Sequence, residues 1–89
     1  MSVEEVIKKV ADLCREFQAG EVILYGSRAK GTARERSDID IAVTGVDDFD
    51  RLVELTEEIP TLYSVDLVNI DTCKNQLLLE DIKQYGRKI

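Results

Sequence analysis

Asp38 and Asp40 stand two residues apart in the segment DIDIAVT. Its alternation and β-branched residues predict a strand over Asp38 to Thr44, so both carboxylates project from one face. Their Cα atoms then lie about 6.6 Å apart, at roughly 3.3 Å per residue. At an effective dielectric near 20, two full charges at about that distance repel by about 2.5 kcal/mol. Ile39, Ile41 and Val43 fall on the opposite, apolar face, which must pack on a core. Two acids at the root of a core strand contribute nothing to stability, and a divalent cation between them would turn repulsion into attraction. Magnesium suits the pair, because it takes oxygen ligands and commonly binds one or two carboxylates together with substrate phosphates. Asp66, between Val65 and Leu67 in another apolar segment, supplies a third acid where strand propensity and desolvation both disfavour one. Asp38, Asp40 and Asp66 together define a candidate catalytic and metal site for two Mg²⁺ ions about 3.5–4 Å apart. One ion would activate an attacking hydroxyl and the other stabilise a leaving phosphate. Taken singly, Asp38 reads equally as a solvated strand-end acid, and Asp66 has a hydrogen-bonded structural reading.

The segment before the acids changes that balance. Gly26-Ser27 directly follows the apolar run EVILY and opens a short helical piece. Gly26 lets the backbone turn sharply and approach a ligand, the helix start offers N–H groups to phosphates, and Ser27 adds a hydroxyl. Arg28, Lys30, Arg34 and Arg36 lie within nine residues, a local positive patch that suits a small polyphosphate. Arg28 and Lys30 are candidates to add charge at the triphosphate, against the plain reading of solvated helix surface. The stretch GSRAKGT imitates a Walker A loop, but Thr32 follows Gly31 where the phosphate-binding lysine belongs, and no G-x-G-x-x-G occurs.

Composition narrows the remaining options. The 89 residues contain no histidine, which removes His-based general bases, Ser-His-Asp triads and His-ligated zinc. The net charge of −6 argues against general nucleic-acid binding, which needs cations to displace counterions from phosphates. No apolar run approaches the ~20 residues of a membrane span, and MSVEEVIKKV is too charged for a secretory signal. The expectation is a cytoplasmic, single-domain chain over 1–89. Cys14 and Cys73 have no metal spacing, and Cys14 falls on an apolar helical stripe as a small hydrophobe.

The elements that must position the acids follow from periodicity. Ser2 with Glu5 forms a capping box ahead of an amphipathic helix over about 3–18, ended by Gly20. Glu21 to Tyr25 reads as a buried central strand, and Ser27 to Ala33 as a short helical piece. After the Asp38–Thr44 strand, Asp47 or Asp48 caps a helix carrying Phe49, Leu52, Val53, Thr56 and Ile59, stopped before Pro60. Tyr63 to Ile70 is a third strand. The last helix covers about 74–85, where Leu77, Leu78 and Leu79 cannot all face one core, and any final strand is at most a stub. The order αβαβαβα implies an α/β (α+β) fold, a mixed β-sheet with helices packed on it.

Gly26-Ser27, ten residues, then Asp38-Ile39-Asp40 resembles the G-S-x₁₀-D-x-D signature of the polymerase-β-type nucleotidyltransferases. More narrowly, GSRAKGTARERSDIDIAV is similar to the minimal nucleotidyltransferase family, and the likeness continues through VDLVNID, where Asp66 matches the third catalytic acid. The resemblance implies the nucleotidyltransferase fold and a metal pair. It also implies transfer of NMP, in particular AMP from ATP, to a hydroxyl, with Gly26 and Ser27 holding the β and γ phosphates. It further implies a HEPN-domain protein encoded nearby as partner, in a toxin–antitoxin pair where the toxin is adenylylated on tyrosine. Two alternatives stay open: nucleotidyl transfer to a small molecule, and a non-catalytic antitoxin that only binds its partner. A homo-oligomer is neither required nor excluded.

Overall fold

Ser2 starts the first helix, accepting a hydrogen bond from Glu5 N–H at 3.2 Å, while the Glu5 carboxylate accepts from the Ser2 hydroxyl and not from its backbone. The computed structural model describes residues 1–35 and 37–89; Arg36, counted above in the basic cluster, lies outside the described residues. Helix α1 (Val3–Glu16) ends two residues earlier than its pattern predicts. The cause is a Schellman-type closure on Gln18, not Gly20. Gln18 takes φ 70°, Ala19 N–H donates to Cys14 C=O at 3.0 Å, and Gln18 N–H donates to Arg15 C=O at 3.1 Å.

The remaining elements are β1 (Glu21–Tyr25), α2 (Ser27–Lys30), β2 (Ile39–Thr44), α3 (Phe49–Glu57), β3 (Val65–Asn69), α4 (Gln76–Tyr85) and β4 (Arg87–Lys88). Helix α2 is a single turn because Gly31 follows it in the left-handed region at φ 78°. Asp48, rather than Asp47, caps α3, accepting from Arg51 N–H at 3.3 Å. Asn75 caps α4, and β4 is the expected stub.

The four strands form one mixed sheet in the order β3-β2-β1-β4. β1 runs antiparallel to β2 and to β4, whereas β2 and β3 are parallel, joined through α3. The α/β architecture inferred from element order is therefore present, with its two most buried strands at the centre. Alternation sends Val22, Leu24, Ile39, Ile41 and Val43 to one face, where they pack with Val6, Val10, Cys14 and Leu52 of α1 and α3. On the other face Tyr25 and Ala42 pack with Ile82 of α4, flanked by Ile23, Val68, Ile70 and Leu78. Of the three consecutive leucines, Leu77 is the one turned outward, 80% exposed. No helix among the described residues is long and apolar enough to cross a membrane.

Cys14 lies fully inside the α1 layer, and burial pushes its thiol up to about 11. Cys73 is only partly covered. An aromatic disulfide reagent at pH 8 should therefore label Cys73 readily and Cys14 only at the rate of unfolding. Mass mapping of the labelled protein, with and without urea, checks this.

Candidate active site

The register of the sheet decides which acids meet. Asp40 is paired with Asp66 across the parallel β2–β3 ladder and with Tyr25 across the antiparallel β1–β2 ladder. Residues opposed in a ladder share a face, with strands about 4.8 Å apart. Asp40 and Asp66 thus lie side by side on the α4 face. Ile39 begins β2, so Asp38 sits one residue ahead of the strand, exposed, with its chain direction set by the bond from Ile39 N–H to Ser64 C=O at 2.8 Å.

The cover on the three acids differs. Asp40 is half-buried, while Asp38 and Asp66 are exposed. The desolvation anticipated for Asp66 is absent: Asp66 is exposed, while the apolar residues of α4 pack over Tyr25, Ala42 and Val68. β3 is also an edge strand. Asp40 carries the electrostatic burden: its carboxyl is raised above the ordinary range, first by burial, then by repulsion from Asp66, Asp38 and Asp81. Tyr25, its other cross-strand neighbour, is pushed up to about 12, first by burial and then by Asp40, Asp66, Cys73 and Asp81. Asp81 of α4 is a fourth acid near the site that the sequence did not single out. It is visible only once α4 is laid on the sheet.

Gly26 is held against Asp40. At φ 73° it occupies a region that favours glycine, and a Cβ there would run into the Asp40 carboxylate and its Cγ and Cβ. The turn and the central acid fit together only without a side chain at 26. Ser27 opens α2 directly beyond it, with Ala29 and Lys30 N–H donating back to Gly26 C=O, each at 3.1 Å.

Both neighbouring cations are engaged. Lys30 Nζ lies 2.8 Å from Asp81 Oδ1 and 4.9 Å from the Tyr85 ring centroid, tying α2 to α4. Its ammonium is raised, chiefly by the hydrogen bond to Asp81. Arg28 donates to Ser37 C=O at 2.7 Å and to Glu35 C=O at 3.4 Å, and its guanidinium lies 5.3 Å from the Tyr63 ring centroid. Arg34 is exposed, its N–H donating to Ser37 Oγ at 2.8 Å.

The acids stand on an open sheet surface, and a cavity of about 430 Å³ lined by Met1, Glu35, Pro60, Thr61, Leu62 and Tyr63 contains none of them. Among the described residues no three carboxylates or thiols are drawn into a ready-made metal cage. The donor set nevertheless fits a hard divalent ion. All three side chains offer oxygen only, two are register partners, and the central one is disfavoured as an anion by its neighbours.

A mixed sheet whose glycine turn abuts one of two acids spaced D-x-D, with a third acid on the adjacent parallel strand, is the arrangement that the resemblance to nucleotidyltransferases implies. Comparison with known proteins agrees. The family model described as polymerase beta, nucleotidyltransferase, matches residues 7–89, and the chain belongs to that family. It is 35% identical over 68 residues, 73% of this chain and 68% of the relative, to "Putative protein adenylyltransferase MJ0604" of Methanocaldococcus jannaschii. A crystal structure described as a toxin–antitoxin with AMP-PNP superimposes with a TM-score of 0.71 at 27% identity, covering 92% of this chain and 70% of that one. The toxin–antitoxin MntA-HepT structure, at 21% identity and a TM-score of 0.61 over 96% of this chain and 69% of that one, speaks to the fold alone. The resemblance to minimal nucleotidyltransferases is borne out, and the protein is a nucleotidyltransferase.

Two outcomes test this geometry. Because Asp40 is raised in the fold, its ionised form opposes folding. That penalty is absent below the unfolded-state value and complete above the folded one. In metal-free buffer Asp40→Asn should therefore raise the melting temperature by about 2–5 °C at pH 7–8, the gain vanishing as pH falls below about 4. Scanning calorimetry across pH reads both. Gly26→Ala should lower the melting temperature by roughly 4–8 °C, about 1 kcal/mol in a domain of this size. Gly26→Ala in the Asp40→Gly background should recover part of that loss, since the carboxylate it meets is gone.

Proposed function

We propose that this protein transfers AMP from ATP to a hydroxyl on a partner protein of the HEPN class, with Asp38, Asp40 and Asp66 as its catalytic and metal-holding acids. The observation that carries the reading is the register pairing of Asp40 with Asp66, beside a glycine turn whose missing Cβ leaves room for the Asp40 carboxylate. Asp38 and Asp40 would hold both Mg²⁺ ions and Asp66 one of them. When bound, such ions lower the pKa of the attacking hydroxyl and neutralise the leaving phosphates.

The remaining work falls to the chain itself. The turn at Gly26 and the Ser27 hydroxyl hold the β and γ phosphates, leaving the α-phosphate over the acids. The acceptor oxygen attacks the α-phosphorus in line, a bond forms between them, and the bond from the α-phosphorus to the bridging oxygen breaks to release pyrophosphate. Asp66, exposed on the neighbouring strand, takes the acceptor's proton. The α4 packing of Ile82, Tyr25 and Ala42 keeps the floor of the site rigid without closing it.

The acceptor assignment rests on three supports. Asp38 and Asp66 are exposed, so a hydroxyl carried on a folded protein can reach them. The net charge of −6 disfavours a polyanionic acceptor. One relative is named as a protein adenylyltransferase, and a structural neighbour is a toxin–antitoxin with AMP-PNP.

Incubating the protein with its gene-neighbour HEPN protein, ATP and Mg²⁺ should add whole AMP units to the partner's intact mass. Asp38→Asn or excess EDTA should abolish the addition. A partner that binds yet stays unmodified would overturn the transfer reading, and one that does not bind would overturn the choice of acceptor.

A further inference from the structure

We infer that Arg28 is a positioning residue, whose guanidinium clamps together the three segments carrying Ser27, Asp38 and Asp66. The inference rests on the assignment of those residues to the transfer site. Arg28 follows Ser27 within α2, so its backbone is part of the turn that faces the phosphates. Its side chain leaves that turn and donates at 2.7 Å to the carbonyl of Ser37, the residue immediately before Asp38, and at 3.4 Å to that of Glu35. The face of the same guanidinium lies 5.3 Å from the ring centroid of Tyr63, three residues before Asp66. Arg28 Nε is buried without a hydrogen-bond partner among the described residues, as happens when a guanidinium is wedged between a ring and a loop.

Arg28 finds no carboxylate among these contacts. It satisfies backbone dipoles and a π face, both neutral, so its charge serves to hold neighbouring chain segments in place. The need for such a clamp is plain at Asp38, which lies outside β2 and is exposed. Its backbone is fixed on the far side by Ile39 N–H on Ser64 C=O at 2.8 Å. On the near side it is fixed by Ser37, through Arg28 and through Ser37 N–H on Arg34 C=O at 3.0 Å. Arg28 and the Ile39–Ser64 bond thus lash together the two loops that enter the parallel strands β2 and β3. A planar fork that also stacks is a requirement lysine does not meet.

Arg28→Met, Arg28→Lys and Tyr63→Leu, each compared with wild type, test the clamp. Amide hydrogen exchange read by mass spectrometry should rise about tenfold or more over residues 34–40 and 61–67 in all three, with α1 unchanged. With ATP and Mg²⁺, kcat should fall tenfold or more while KM for ATP stays within about twofold. Free-ion EPR should show Mn²⁺ bound about tenfold more weakly. Arg28→Met combined with Tyr63→Leu should add little to either alone. Unchanged exchange in the two loops would overturn the clamp. Faster exchange with unaltered kcat and Mn²⁺ affinity would overturn its link to the reaction. A rise in KM that Arg28→Lys repairs would make Arg28 a phosphate ligand instead. If Arg28→Met does not fold, Tyr63→Leu and Arg28→Lys decide by the same criteria. If wild type transfers nothing, the proposed function fails, while exchange and Mn²⁺ affinity still decide the clamp.

Discussion

The contact between Gly26 and the Asp40 carboxylate governs how the rest of the molecule is arranged. It holds the turn that opens α2 against the central acid, and it exists because residue 26 has no Cβ to fill the space. The ladder pairing of Tyr25 with Asp40 fixes one side of that contact, since Tyr25 is the last residue of β1 and Gly26 the next. The pairing of Asp40 with Asp66 then fixes where the third acid lies. One central carboxylate is therefore the common neighbour of the turn, the first strand and the third.

Such a carboxylate is costly to the fold, and the packing shows where the cost is met. The α1 and α3 face of the sheet carries the main apolar core, with Ile39, Ile41, Val43 and Leu52 fully buried. The other face is divided: α4 covers Ala42 and Tyr25, and the acids occupy what it leaves open. Two cationic side chains from the short α2 brace this divided face, Lys30 against Asp81 and Tyr85, and Arg28 against the loops before β2 and β3. A one-turn helix has little stability of its own, and these ties hold it where tertiary contact requires.

Much of this was legible in the residues. The alternation of DIDIAVT placed Asp40 opposite Ile39 and Ile41, and the apolar run EVILY marked a central strand, because strand period and burial on both faces are local properties. What local pattern could not reach was the partner of each charge. Asp66 was expected to be desolvated, since apolar neighbours in sequence do not reveal that an edge strand leaves its outer residue wet. Asp81 was passed over because nothing in its own segment marks it, and its proximity to Asp40 arises from packing between distant elements. Arg28 and Lys30 stayed open between charge for the triphosphate and solvated helix surface, because motif position and a local run of cations were the only guides. Their hydrogen bonds and rings lie across the fold. Gln18 shows the same limit at a helix end, taking the left-handed position for which Gly20 was the obvious candidate.

The pairing of Asp40 with Asp66 also protects the sheet against misassembly. Parallel strands joined through a helix have no tight turn to set their alignment, so β3 must be aligned by its side chains. A slip of a single residue would exchange its faces. Asp66 would then point toward Ile39, Ile41 and Leu52, where an unpaired carboxylate costs several kcal/mol, and Val65 and Leu67 would be turned to solvent. The same charge that opposes its neighbour in the correct alignment is far more unfavourable in every odd one. A residue proposed for chemistry therefore doubles as the strand's own proof of alignment, and a neutral apolar replacement there would loosen the choice between folds.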